Sequence, residues 1–473
     1  MSAAREQFGS KIGFVLAAAG SAVGIGNLVG FPVGAAKHGG AAFLLIYALF
    51  VAFVCLPVML AEMSVGRRSR KDPLGAYSGL SGAQRGWRIA GWLSIVTPFM
   101  IVVFYSVVTV WVFGYLFQSV SGNLDLLAAP ETFSDFINSS SIFLYMACVI
   151  GIIYLILQAG VKQGIETASK ILMPALFVML LGMVIFVLTR DNAMAGVEFY
   201  LIPDFSKIDA SVVNGALSQA FFSLSLGMGI MITYGSYIDS KANIPSSAKF
   251  VALADTTVAF TAGLMILPAI FSFNPEINPE DLSESSISMI FSFLPQIFLE
   301  LQTSMGYVGA SIVASIFFLL VFFAAITSLV STFEVPVATL MSEEGMNRRP
   351  ALLLCGVLLV VLSTMCALSF GSVDFFTRFV NYAGVDKSFF DLIYDVFYDT
   401  ILPLNGFLIC IFVIYKWKKH NFNSELDCGA ADFKNSLFER YVNFSVGTFI
   451  PVILLAIFIN TVALKYFGVA LFG

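Results

Sequence analysis

The stretch AAAGSAVGIGNLVGFP, residues 17–32, decides how the chain folds. It sits inside an apolar run near 11–36, yet it carries Gly20, Gly24, Gly26 and Gly30. About 20 apolar residues cross a bilayer as one helix, and glycines at the middle weaken that helix and leave backbone groups unpaired. A membrane tolerates unpaired groups only where they line a polar cavity or hold something. The stretch FFSLSLGMGIMITYGSY, residues 221–237, repeats the pattern with Gly227 and Gly229. For either stretch alone, glycines that let helices approach closely are an equally good explanation.

Working outward, composition sets the class. Of 473 residues, 58% are hydrophobic, 48 are Phe and only 12% are charged, against about 25% charged in an ordinary soluble domain. A soluble surface needs more charge than that, so the chain reads as an all-α polytopic membrane protein. Hydropathy gives eleven apolar segments, near 11–36, 41–65, 89–119, 142–158, 164–188, 211–236, 248–273, 306–341, 351–369, 392–415 and 445–471. The two glycine-interrupted segments are the first and sixth, and each begins a block of five. Interrupted helices in corresponding places of two halves point to a transporter built as an inverted repeat, with its sites at the breaks. The first repeat is expected at about 11–188, the second at about 211–415 and an extra helix at about 445–471, all within one transmembrane unit spanning 1–473.

Nineteen of the 25 Lys and Arg fall on one side if the N-terminus is cytoplasmic, and the six on the other are Lys37, Arg190, Lys207, Arg378, Lys387 and Lys465. This asymmetry orients the chain in a cell (inner or plasma) membrane, N-terminus inside and C-terminus outside. The first apolar run reads as a span and not as a cleaved signal. The acidic, partly apolar loop at 274–305 is expected to carry short helices that cap the outer face. No basic run has the aromatic interleaving of a nucleic-acid surface. The six cysteines form no CxxC pair, there are two His, and no Ser/His/Asp or metal constellation suggests an enzyme.

The quoted segment 1, with GGAAF at 39–43 and GRRS at 66–69, resembles the neurotransmitter:sodium symporter family in its prokaryotic branch. QAFFSLSLGMG at 219–229, ALADTTVAFTAG at 252–263 and FFAAITSLVSTFEVPVA at 322–338 extend the resemblance over essentially the whole chain. It implies the leucine-transporter fold and a sodium-coupled symporter that imports an amino acid by alternating access.

A dehydrated sodium ion needs five or six hard oxygens, and segment 8 offers Thr327 and Ser328 mid-span. Taken alone, such hydroxyls more often bond back to carbonyls one turn earlier. The resemblance implies that Thr327 and Ser328, with the carbonyls of Gly20, Val23 and Ala324, form a second sodium site. It implies a first site from the Ala22 carbonyl, Asn27, Ser223 and Asp255. Asp255 stands out without any resemblance, because a carboxylate in an apolar run costs several kcal/mol unless it serves a cation or a partner. In chloride-dependent relatives a chloride supplies the negative charge near this position, so Asp255 implies no chloride requirement.

By resemblance the substrate carboxylate meets amides near Ala22 to Gly26 and the Tyr105 hydroxyl, while its ammonium meets carbonyls of Ala22, Phe222 and Ser223 and the Ser225 hydroxyl. The side-chain subsite is expected from Ser21, Ile101, Tyr105, Phe222, Met228, Ser328 and Thr332, a mostly apolar lining that suits hydrophobic or aromatic amino acids. Monoamine carriers of the family have Asp where this chain has Gly24, so the substrate brings its own carboxylate. The resemblance implies an outer lid of Tyr105 over Phe222, and inner contacts of Arg5 with Glu343 and of Tyr237 with Glu334. It also implies water entry through segment 5, where Gly164 and Pro174 stand, and a monomer or weak homodimer in the lipid bilayer. The chain departs from the family at Gly30, where an Arg or Lys usually forms half of an outer salt bridge. Asp391, Asp395 and Asp399 are candidates for its acid partner, and Arg378 for a replacement cation.

Overall fold

With no water in the hydrocarbon to satisfy peptide groups, each long apolar run closes into a helix. The computed structural model describes residues 6–273, 289–430, 432–469 and 471. Among the described residues, nine helices are long and apolar enough to cross a membrane: Ala41–Ser69, Arg85–Val120, Ser141–Gln158, Val161–Leu188, Ile244–Ser272, Gln302–Glu343, Arg348–Ala367, Phe389–Lys416 and Leu437–Phe467. A tenth span is the bent pair Lys11–Ala22 and Gly26–Lys37, whose halves turn by 54°. Each falls on a segment expected from hydropathy.

Segment 6 differs. It forms two helices, Ala210–Ser223 and Ile230–Ser236, of 14 and 7 residues, and neither is long enough alone to cross. Between them Ser225, Gly227 and Gly229 have φ of +54°, +75° and +65°. Three left-handed residues within five end a right-handed helix, and the one that is not glycine carries local strain.

Segment 3, Arg85–Val120, is the most enclosed of the nine unbroken spans, with 83% of its most apolar stretch buried, and it packs along segment 8. The inner half of segment 1 packs against segments 5, 7 and 8, and Ile230–Ser236 packs against segment 2. That last contact is where glycine serves packing alone, since a Cβ on Gly66 would lie 2.0 Å from the Ile232 carbonyl oxygen. Of the expected outer loop, 274–288 lies outside the described residues. The remainder is helical at Met289–Phe293 and Leu294–Glu300, and Phe291 packs edge-on against Trp111 and Tyr115. A two-stranded hairpin, Val380–Tyr382 with Val385–Lys387, leads into segment 10.

Candidate substrate and ion site

The two breaks face one another. Segment 1 leaves its helix at Val23 (φ −72°, ψ 107°) and resumes helical turns at Gly26. The C-terminal end of the inner half therefore meets the N-terminal end of the outer half, so carbonyls favouring a cation lie beside N–H groups favouring an anion. Between the breaks lies a small, closed-in cavity of about 20 Å³ lined by Ser21, Ala22, Gly24, Gly26, Asn27, Ile101, Tyr105, Phe222, Ser225, Met228, Ser328 and Thr332. Eleven of the twelve residues expected at a substrate pocket are on this wall. Ser223 is not; its hydroxyl turns away, into the cluster around Asp255. Asn27, expected only as an ion ligand, also reaches the cavity.

Local hydrogen bonds hold the break open. The Ile25 N–H donates to Tyr105 Oη at 2.9 Å, the Gly24 N–H donates to Asn27 Oδ1 at 3.0 Å, and Gln219 Nε2 donates to the Gly26 carbonyl at 2.8 Å. Glycine is required at position 24, because a Cβ there would sit 2.8 Å from Tyr105 Oη and 2.9 Å from Ser328 Oγ. Across the cavity, Ser225 Oγ donates to the Ser21 carbonyl at 2.8 Å, which ties the two breaks together.

One cluster beside the cavity is ionic. Asp255 is wholly buried and its carboxylate accepts from Asn27 Nδ2 at 2.7 Å, Ser223 Oγ at 2.8 Å and Tyr47 Oη at 2.9 Å. Donors from segments 1, 2 and 6 thus converge on one acid of segment 7, which offsets part of the cost of burying it. Tyr47 was not legible as a site residue. It is one of 16 Tyr in an apolar run, and its partner lies 208 residues away.

A second cluster is neutral. Ser328 Oγ lies 3.4, 3.2 and 3.2 Å from the carbonyl oxygens of Gly20, Ser21 and Val23. Thr327 Oγ1 bonds back to the carbonyls of Phe323 and Ala324 at 3.1 and 3.0 Å. All five residues expected at the second sodium meet here, with the Ser21 carbonyl in addition.

The comparisons with known proteins agree with this geometry. A family model described as the sodium:neurotransmitter symporter family matches residues 5–135 and 128–469. The chain belongs to that family. It is 31% identical over 469 residues to an uncharacterized sodium-dependent transporter, YhdH, of Bacillus subtilis, covering 98% of each chain. A sodium-dependent transporter of Haemophilus influenzae is also 31% identical, over 96% of this chain and 98% of its own. The crystal structure of MhsT in complex with L-phenylalanine superposes with a TM-score of 0.83 at 35% identity, covering 96% of this chain and 99% of that one. The chain is thus a transporter of the prokaryotic branch with the leucine-transporter fold.

At the end of the bundle where segment 1 begins, Tyr237 Oη donates to Glu334 Oε1 at 2.7 Å, as expected. Arg5 lies outside the described residues. The cation on Glu334 is Arg348, whose Nη2 lies 2.5 Å from Glu334 Oε2 and whose Nη1 lies 3.1 Å from Glu6 Oε1. Arg348 had served only as an orientation marker in the sequence. Glu343 stands apart from this group, at the exposed end of segment 8 near Gly75 and Lys71. The residues before segment 1 also clasp segment 5: the Gly9 N–H and the Ser10 hydroxyl donate to Glu166, and the Val161 N–H donates to Glu6. Segment 5 is wound at Gly164, in a wide turn over Val161–Glu166.

On the cavity wall, Phe222 packs edge-on against Tyr398 of segment 10, with ring centres 4.5 Å apart. Tyr398 was not foreseen. The cations on the segment 10 acids are Lys465 and, at a longer distance, Lys387, and not Arg378, which is exposed. Glu62 and Asn405 were missed as well. Glu62 Oε1 accepts the Gly227 N–H at 2.7 Å, and Asn405 Nδ2 donates to the Gly227 carbonyl at 2.8 Å.

Proposed function

We propose that the chain is a sodium-coupled symporter importing an α-amino acid, hydrophobic or aromatic in its side chain, with two sodium ions and no chloride requirement. The observation that carries this reading is the cavity between two broken helices, walled by backbone groups of the two breaks and flanked by one oxygen cluster built on Asp255 and one neutral oxygen cluster. An amino acid presents a carboxylate to the N–H groups and Tyr105, and an ammonium to the carbonyls of Ala22, Phe222 and Ser223 and the Ser225 hydroxyl. Gly24 places no acidic side chain beside Tyr105, which favours a substrate with its own carboxylate. Ile101, Phe222 and Met228 supply an apolar wall, and the L-phenylalanine named for MhsT is the ligand class such a wall accepts.

Sodium enters this reading twice. The first ion takes the Ala22 carbonyl, Asn27, Ser223 and Asp255, whose fixed negative charge replaces a chloride. The second takes the carbonyls of Gly20, Val23 and Ala324 with the Thr327 and Ser328 hydroxyls. Sodium bound beside substrate favours closure over the loaded cavity, so the cation gradient drives uptake. The protein works as a single transmembrane unit in the cell membrane with its N-terminus inside, as a monomer or weak homodimer. Reconstitution into proteoliposomes with an inward sodium gradient and a panel of labelled amino acids tests the proposal. Accumulation of phenylalanine or another apolar amino acid above equilibrium, abolished by dissipating the gradient, is the expected result; binding without accumulation overturns it.

A further inference from the structure

Segment 10 and segment 11 are joined by a cluster of charges that lies apart from both oxygen clusters. Lys465 Nζ lies 2.8 Å from Asp395 Oδ1 and 2.8 Å from Asp399 Oδ2. Asp395 is buried, and its other oxygen accepts from Tyr382 Oη of the hairpin at 2.7 Å, with Lys387 Nζ at 3.8 Å. A lysine in the last turn of a span ordinarily extends toward water. Here the ammonium turns inward onto two acids four residues apart.

What those acids hold matters more than the pairing. Both lie on the wide helical turn Tyr394–Ile401, and between them on the same turn stands Tyr398. Tyr398 stacks on Tyr394 with ring centres 4.5 Å apart, and its edge meets Phe222, the ring that walls the cavity. Asp399, Tyr398 and Phe222 line a further small void of about 70 Å³ with Pro403. The position of Tyr398 over Phe222 is therefore tied through one turn of backbone to where Lys465 holds Asp395 and Asp399. Gly30 provides no side chain for an ionic contact from segment 1.

We propose that Lys465 is a positioning residue for outer closure: by clamping Asp395 and Asp399 it seats Tyr398 on Phe222 and keeps the loaded cavity shut toward the outside. The proposal rests on the transport reading above and extends it to a residue of the last span. Removing the ammonium frees two like charges to separate and shifts the population toward open cavities.

The test uses full-length protein in proteoliposomes, with the exposed Cys148 and Cys428 replaced by serine and a reporter cysteine at Ile101, inside the cavity. Labelling by a membrane-impermeant thiosulfonate from outside is timed in sodium with phenylalanine present. Lys465→Met and Asp399→Asn are expected to raise the labelling rate about fivefold or more, while Lys465→Arg keeps it near the parent. If Lys465→Met is not recovered as a monodisperse protein, Asp399→Asn decides. Parent-like labelling in the neutral variants, or labelling in Lys465→Arg as fast as in Lys465→Met, overturns the proposal. Absence of sodium-driven uptake by the protein with Ile101 intact overturns the transport reading instead, and the labelling comparison still stands.

Discussion

The two oxygen clusters on either side of the cavity solve one problem in different ways. Around Asp255 a full negative charge is buried and fixed by three donors from three segments. Around Ser328 there is no formal charge, only carbonyls from the end of a broken helix and two hydroxyls. A charged cluster of this kind is costly to assemble and strongly attractive to a cation, whereas the neutral one is cheap and weak. The difference predicts that the two respond unequally to equally small changes.

The largest effect belongs to the charge itself. Asp255→Asn preserves size and can still hydrogen-bond, yet sodium-driven uptake in proteoliposomes is expected to fall about a hundredfold or more, the equivalent of roughly 3 kcal/mol of lost cation attraction. Uptake within twofold of the parent would show that the acid is structural only. Tyr47→Phe removes one hydrogen bond to the same carboxylate and should raise the sodium concentration for half-maximal uptake about tenfold. An unchanged sodium dependence would remove Tyr47 from the site.

On the neutral side the expected change is smaller. Ser328→Ala loses one hydroxyl among several carbonyls, and half-maximal sodium should rise about fivefold, measured by the same uptake assay. A loss as deep as that of Asp255→Asn would erase the distinction between the clusters. The smallest effect is none: replacing chloride with gluconate leaves uptake of the parent protein unchanged. Uptake abolished by that replacement would mean that the Asp255 carboxylate does not stand in for the anion.

The spans were readable because burial in lipid demands long apolar runs, and ten of them coincide with helices of the structure. The breaks were readable because glycine in such runs has few other uses. Segment 6 was harder, since hydropathy averages across Leu224–Gly229 and reports one run where the backbone makes two short helices. Residues whose role depends on a distant partner were invisible. Tyr47, Glu62, Arg348 and Lys465 each look ordinary in their own segments, as an aromatic in a span or as charges at span ends. Their partners lie on other segments or, for Arg348 and Glu334, on the far side of a turn. Eight of the twelve cavity-lining residues fared better because they cluster at the two breaks, where local sequence and local geometry coincide, whereas Ile101, Tyr105, Ser328 and Thr332, on segments 3 and 8, were reached through the family resemblance. Ser223 shows the limit of that reasoning: its position was legible, but the direction of its hydroxyl depends on Asp255.

One further consequence follows from how Gly227 is held. Its N–H is fixed by Glu62 and its carbonyl by Asn405, while Gly229 is pressed against the Ser94 carbonyl, where a Cβ would come within 2.5 Å. Both anchors act on main chain, and the residue between them, Met228, contributes only its side chain to the cavity. The shape of the break is thereby insulated from the identity of residue 228. This is a place where evolution can retune substrate choice by single substitutions without rebuilding the hinge that carries them.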